Sequence, residues 1–252
     1  GFVRSGKIRN SQLSIADPSL SKIVRLKRHR VKVTTNNAAA ISNADIIFLA
    51  VKPTAMKELM NEIRDQIRDK LVVSVAAAIS IQNLKKRART KQKLARIMPN
   101  LLVTYNQGVI GLFVGNYVTS RDKAQLIRTL SSLGYVIEVE KEKDLDTLTL
   151  LSACGPAIVS SFMEMFSDYA EERRVVKTLI PQIVTQTFIG TLQYLNHSGT
   201  SPPELMRSVA TKGGVTEAIL KKLASKRFKM MFVQAMEDGR GRIEALSQKL
   251  NK

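Results

Sequence analysis

Short apolar runs separated by amphipathic stretches occupy the chain as far as Lys143. Leu13–Ala16 and Val31–Val33 read as short strands. Ala44–Val51 (ADIIFLAV) is longer, and its uninterrupted run IIFLAV predicts a strand buried on both faces of a parallel sheet. Lys52-Pro53 ends that strand, and Thr54–Asp69 follows as an amphipathic helix. Leu71–Ala76 (LVVSVA) is another buried strand, with a short basic helix over Ile79–Arg89 behind it. Leu94–Met98, Val109–Val114 and Tyr135–Val139 complete the strand set, the last two flanking a helix over Ser120–Leu133. Repeated β-then-α segments predict a doubly wound α/β domain over residues 1–143.

From Leu145 onward the strand signal disappears. Leu148, Leu151, Ile158, Phe162, Met165, Phe166 and Tyr169 recur at helical spacing, interrupted by Gly155-Pro156. Val176–Leu195, Glu217–Leu223 and Phe228–Leu250 also read as helices, so residues 144–252 form a second, all-helical domain. Its Met and Phe stripes suit either a core or contact with a second copy of the chain.

Composition narrows the function classes. Hydrophobic residues make up 44 % and charged residues 24 % of 252, ordinary globular material. No unbroken apolar run reaches roughly 18 residues, and no basic-then-apolar export signal opens the chain. One cysteine (Cys154) excludes an intrachain disulfide and suits a reducing compartment; as a residue it reads as a small buried side chain. With His29 and His197 as the only histidines, no metal site is expected. A cytoplasmic protein without a membrane span is the expectation. The net charge of +19 concentrates in Lys22–Lys32 (KIVRLKRHRVK) and Lys85–Lys93 (KKRARTKQK). These runs read as solvated helix faces, as a nucleic-acid footprint, or, next to the second strand of a nucleotide-binding unit, as acceptors for an adenosine 2′-phosphate. Neither run carries the stacking aromatics of a single-strand binder, so specific nucleic-acid binding is not expected.

Four stretches carry candidate chemistry. In LSIADPS a short strand ends at Asp17, placed like the acid that meets a ribose hydroxyl in a dinucleotide-binding unit. That acid normally follows a glycine fingerprint by roughly 20 residues, and counting back from Asp17 runs off the start of the sequence. Ala50-Val51-Lys52-Pro53 closes a buried strand at its carboxyl end, where ligands of open α/β sheets bind. Leu151-Ser152-Ala153-Cys154-Gly155-Pro156-Ala157 breaks a helical pattern, either as an inter-helix turn or as a point of close approach. Ala210-Thr211-Lys212-Gly213-Gly214-Val215-Thr216-Glu217 places two glycines before a helix start. The helix dipole there favours a small carboxylate, although Thr216-Glu217 also suits plain capping.

These stretches, with VKVTTNNAAAISNADIIFLAVKP, VVSVAAAIS and ARIMPN, resemble in order and over the whole chain the pyrroline-5-carboxylate reductases. The resemblance implies a Rossmann-like domain followed by a helical dimerisation domain. It implies hydride transfer from NAD(P)H to the C=N bond of 1-pyrroline-5-carboxylate, giving L-proline. By the same resemblance Asn37, Ala50, Val51, Lys52, Pro53, Val75, Ala76 and Ala77 contact the cofactor. Gly213, Gly214, Val215 and Thr216 hold the substrate carboxylate, with Thr216 catalytic, beside the ring nitrogen. Asp17 favours NADH, whereas Lys22, Arg25 and their neighbours favour NADPH, and NADP is the expected cofactor. A homo-oligomer, at least a dimer through the helical domain, follows. GFVRSGK is similar to the end of the family's first helix, so the first strand and glycine loop are expected upstream of Gly1 in an intact protein. The departures are Ala153-Cys154 for Gly-Ser, Leu101-Leu102 for Thr-Pro and Thr211-Lys212 for Ser-Pro, and Glu172-Arg173-Arg174 stands at the usual Gly-Leu-Pro turn. Cys-Gly-Pro with Lys-Gly-Gly resembles a divergent late-competence branch. The alternative reading is therefore a catalytically altered member with a regulatory role or another cyclic imine as substrate.

Overall fold

The computed structural model describes residues 1–250. Among them the strands are β1 (Ser14–Ala16), β2 (Lys32–Thr34), β3 (Ile46–Leu49), β4 (Leu71–Ser74), β5 (Leu94–Pro99), β6 (Gly108–Val114) and β7 (Gly134–Glu138). They divide into two sheets. β1 and β2 pair in parallel, and β3-β4-β5-β6-β7 form the second sheet in that order. Within the second sheet β6 runs antiparallel to β5 and the other pairs are parallel, a reversal that the β-then-α pattern does not reveal. β1 and β3 thus each pair along one edge only.

Successive side chains of a strand point to opposite faces, and β4 shows the consequence. Val72 joins Ile47, Leu49, Met60, Ile63 and Leu84 on one face, while Val73 joins Ala95, Ile97, Leu112 and Leu126 on the other. Each such side chain contributes on the order of 1.5–3 kcal/mol when fully removed from water. β3 was expected to be buried on both faces, but only Ile47 and Leu49 are; Ile46 and Phe48 are half-buried. Its position at the edge of the five-stranded sheet leaves that flank uncovered.

The helices of this region are α1 (Phe2–Ser5), α2 (Leu20–Ile23), α3 (Asn37–Ile41), α4 (Met56–Ile63), α5 (Ile81–Lys85) and α6 (Ser120–Leu130). α4 and α5 are shorter than their apolar periodicity predicts. Asp69 and Ala78 adopt left-handed backbone at φ 63° and 64°, and Ser80 caps α5 by accepting the Asn83 N–H at 3.2 Å. α6 opens on a capping box, Thr119 with Asp122, which satisfies two amides that a helix start leaves free.

The remaining helices are α7 (Asp144–Leu148), α8 (Gly155–Glu172), α9 (Ile180–Ser198), α10 (Pro202–Val209), α11 (Val215–Ser225) and α12 (Phe228–Leu250). Gly155-Pro156 does not separate two helices by an open turn. The chain widens into a π-turn over Thr149–Ala153, bends at Cys154 and resumes with Pro156 in the first turn of α8, where a missing N–H costs nothing. Cys154 is exposed rather than buried, because it occupies that bend.

Backbone contacts group the chain into two compact units: Gly1–Cys154 together with the segment from Gly239, and Gly155–Asp238. α7 packs on the sheet, with Leu145 fully buried, so the first unit extends past the change of hydropathy pattern. In the second unit Phe166 packs edge-on against Phe188 at 5.6 Å, and Phe162 meets Phe228 at 6.1 Å. Yet Met165, Phe166, Tyr169, Leu192, Met230 and Met231 stay exposed, so these stripes are not a core of this chain. Asp144–Glu172 is one helical stretch that is long and apolar enough to cross a membrane by length and composition alone.

Candidate active site

The first unit brings two of the candidate stretches together. Leu49 of β3 lies opposite Ser74 of β4, so Ala50–Pro53 and Val75–Ala77 leave the sheet side by side. The Val75 N–H donates to the Leu49 carbonyl at 3.2 Å, and the Ala76 N–H donates to the buried Ser74 Oγ at 3.2 Å. Ala76 and Ala78 are buried, which leaves Ala77 exposed at the tip of the loop. Ala50 and Ala77 are exposed at these strand ends and carry short side chains.

The two-stranded sheet presents a second pair of ends. Ala16 lies opposite Thr34, and the Asp17 N–H donates to the Thr34 carbonyl at 3.3 Å. Asp17 Oδ1 accepts the Ser19 N–H at 2.8 Å, an Asx turn that starts α2 and engages one carboxylate oxygen. Lys22 and Arg25 behind it are exposed. Asn36 caps α3, and Asn37 donates to both carboxylate oxygens of Glu62 at 3.0 and 3.1 Å. Sequence reasoning missed Glu62, since nothing local links residues 37 and 62. A cleft of about 490 Å³ opens at the other end of the five-stranded sheet, lined by Ala44, Asp45, Lys70, Leu71 and Lys93 among others. It lies at the amino ends of β3 and β4, away from these groups.

The glycine turn lies in the second unit. Gly213 adopts φ 77°, a conformation that favours glycine, and the Gly214 N–H donates to the Thr211 carbonyl at 2.9 Å. Gly214 then caps α11, whose first turn begins with Val215 and Thr216. Helix starts leave such amides without partners in their own ladder. A second amide of the turn is also taken: the Gly213 N–H donates to Glu217 Oε2 at 2.8 Å. Lys221 pairs with the other oxygen of Glu217 at 2.9 Å, and this contact, then the Gly213 amide, holds the carboxyl below its usual range. Of the Thr-Glu pair, Glu217 reaches back to the turn, and Gly214 begins α11 without a side-chain cap.

Two further groups shape the first unit near the strand ends. Asn100, buried after Met98-Pro99, donates to the Ser152 carbonyl at 3.1 Å and accepts the Val109 N–H at 3.2 Å. Arg96 of β5 is buried, and its Nη1 meets Glu142 Oε1 at 2.7 Å. Among the described residues no three His, Cys, Asp or Glu side chains gather in a way that could hold a metal ion.

The profile described as pyrroline-5-carboxylate reductase dimerisation matches residues 142–246. The profile described as NADP oxidoreductase, coenzyme F420-dependent, matches residues 1–78. A pyrroline-5-carboxylate reductase 3 of Danio rerio is 31 % identical over 253 residues, covering 100 % of this chain and 88 % of that one. The chain belongs to the pyrroline-5-carboxylate reductase family. The pyrroline-5-carboxylate reductase of Pseudomonas aeruginosa is 27 % identical over 254 residues, covering 100 % of this chain and 93 % of its own. Among solved structures, the pyrroline-5-carboxylate reductase of Coxiella burnetii superposes with a TM-score of 0.89 at 27 % identity, over 98 % of this chain and 92 % of that one. The Plasmodium falciparum pyrroline carboxylate reductase, solved with NADP bound, gives a TM-score of 0.88 at 26 % identity, over 98 % and 91 %. The pyrroline-5-carboxylate reductase architecture, a Rossmann-like sheet followed by a helical dimerisation domain, is the fold of this chain.

Proposed function

We propose that this protein reduces the C=N bond of 1-pyrroline-5-carboxylate to give L-proline, with NADPH as cofactor and NADH as the alternative. The observation that carries the reading is the shared end of β3 and β4, where Ala50–Pro53 and Val75–Ala77 emerge together, in a chain of this family. When bound, NAD(P)H supplies the hydride that reduces the imine carbon. Asn37, Ala50, Val51, Lys52, Pro53, Val75, Ala76 and Ala77 hold the cofactor on this reading. Residues 1–250 supply strand ends and an acid at Asp17, and the small side chains at Ala50 and Ala77 fit a flat ring against the backbone. Exposed Lys22 and Arg25 beside Asp17, one of whose oxygens is engaged with Ser19, incline the site to a 2′-phosphate.

Gly213, Gly214, Val215 and Thr216 hold the substrate carboxylate through amides at the start of α11. The Thr216 hydroxyl accepts the N–H of the protonated ring nitrogen and fixes the face presented for reduction. A protonated imine already accepts hydride, so orientation and a carboxylate clamp supply most of the catalysis. That explains a site without histidines or paired carboxylates.

The helical region works as a dimer in this proposal. The exposed apolar residues Met165, Phe166, Tyr169, Leu192, Met230 and Met231 are covered by a second copy rather than by lipid, and the protein resides in the cytoplasm. NADPH consumption with pyrroline-5-carboxylate tests the whole reading, and Thr216→Val is expected to lower kcat/KM about tenfold or more. One observation favours the second reading, a catalytically altered member that regulates or takes another cyclic imine: Glu217 occupies an amide of the carboxylate cradle. Wild-type protein that binds NADPH yet leaves pyrroline-5-carboxylate unreduced would select it.

A further inference from the structure

Glu142 lies on the bend between β7 and α7, far in sequence from both of its partners. Its Oε1 accepts two hydrogen bonds of 2.7 Å, one from Arg96 Nη1 and one from the backbone N–H of Ile81. Ile81 is the first residue of α5, and its amide is one of those that a helix start leaves without a partner in the ladder. The Ser80 hydroxyl serves Asn83 instead, so the Glu142 carboxylate is the acceptor at this point. Ile81 also closes the loop Val75–Ser80, which begins at the carboxyl end of β4. At its start the loop is tied by Val75 to Leu49 and by Ala76 to Ser74. At its end it is tied by the Glu142 bond at 2.7 Å.

We infer that Glu142 is a positioning residue for cofactor binding, its Oε1 fixing the end of the Val75–Ser80 loop while Arg96 fixes Glu142. The role rests on that loop meeting the cofactor, as proposed above. Arg96 is almost wholly buried, at 6 % side-chain exposure, and belongs to β5, one of the inner strands, so the carboxylate is held against a rigid element. Asp146 also lies within electrostatic reach of Arg96, whereas the Ile81 amide donates its hydrogen bond to Glu142. Glu142 thereby links the core strand to the loop.

The chemistry separates positioning from plain stability. A single oxygen, Oε1, receives both hydrogen bonds, so E142Q keeps an acceptor for Ile81 and Arg96 while removing the charge. E142A removes the acceptor. R96M removes the cationic partner but leaves the acceptor in place. NADPH titration of the full chain and its three variants, with thermal unfolding alongside, gives the test. E142Q is expected to bind NADPH within about threefold of wild type, R96M more weakly because Glu142 loses its anchor, and E142A about tenfold more weakly. All three variants break the ion pair and lower Tm, E142A and E142Q by stranding the buried Arg96 guanidinium and R96M by stranding a partly buried carboxylate. NADPH affinity that falls in step with Tm across the three variants overturns the inference, since that is a merely structural role. Should E142A fail to fold, R96M and E142Q decide: weakened binding in E142Q, or unchanged binding in R96M, overturns it. Wild type that does not bind NADPH brings down the proposed function and this role with it. Wild-type binding with unchanged affinity in E142A brings down this role alone.

Discussion

Replacing Asn100 probes how the corner of the first unit is held. Asn100 is buried, and its side-chain amide spans two elements: Nδ2 donates to the Ser152 carbonyl at 3.1 Å and Oδ1 accepts the Val109 N–H at 3.2 Å. It therefore ties the end of β5 both to the start of β6 and to the π-turn that leads into α8. Asn100→Ala removes both bonds and leaves the Val109 N–H and the Ser152 carbonyl facing a small cavity. Each buried group stranded in this way costs about 1–3 kcal/mol, so a loss of about 2–4 kcal/mol is expected. Asn100→Asp is a different perturbation. It keeps an acceptor for Val109 but turns a donor into a carboxylate oxygen facing the Ser152 carbonyl. Protonation restores a donor there, so the deficit of N100D relative to wild type should shrink as pH falls. Urea unfolding at one fixed protein concentration, followed by circular dichroism, measures both, and an unchanged m-value keeps the comparison clean. A deficit below about 0.5 kcal/mol in N100A, or an N100D deficit that does not respond to pH, refutes the account, because either result means the bonds are not what holds the corner.

Three further outcomes follow from the geometry. Glu217→Ala should lower KM for pyrroline-5-carboxylate about threefold by freeing the Gly213 amide and removing a negative charge from the cradle; steady-state kinetics reads this, and a raised KM means Glu217 serves the turn instead. Burial first, then the neighbouring Glu142 and Glu244 carboxylates, raise the Asp146 pKa above its ordinary 3.8 against the pull of Arg96. Below 3.8 Asp146 is protonated whether the chain is folded or not, while above it ionisation is easier in the unfolded chain, so its charge costs stability as pH rises. Asp146→Asn should therefore be more stable than wild type at neutral pH by a margin that vanishes in acid, and a margin independent of pH contradicts it. Gly134 has φ 148° and a Cβ there would overlap the Gly108 backbone of the adjoining strand, so Gly134→Ala should cost about 3 kcal/mol or more and deplete folded protein, as soluble yield and circular dichroism will report.

Local chemistry made much of this protein legible in its sequence. Apolar runs bounded by Gly, Pro and Asn located every strand to within a residue or two, and the periodicity of Phe228–Leu250 matches α12 end to end. The glycine turn and the exit of β3 at Lys52-Pro53 were readable because φ above zero and a missing donor are properties of single residues. The tertiary structure alone decided how these pieces meet. Periodicity reports that a side chain is covered, not by which strand, so the reversal of β6 and the edge position of β3 lay outside its reach. The exposed stripes of the second unit carry the same apolar pattern that a core would. Long-range polar pairing followed the same rule. Arg96 and Glu142 stand 46 residues apart, and Asn37 and Glu62 stand 25 apart. Each pair exists because folding brings distant backbone within hydrogen-bond reach, and such proximity is a property of topology rather than of either residue.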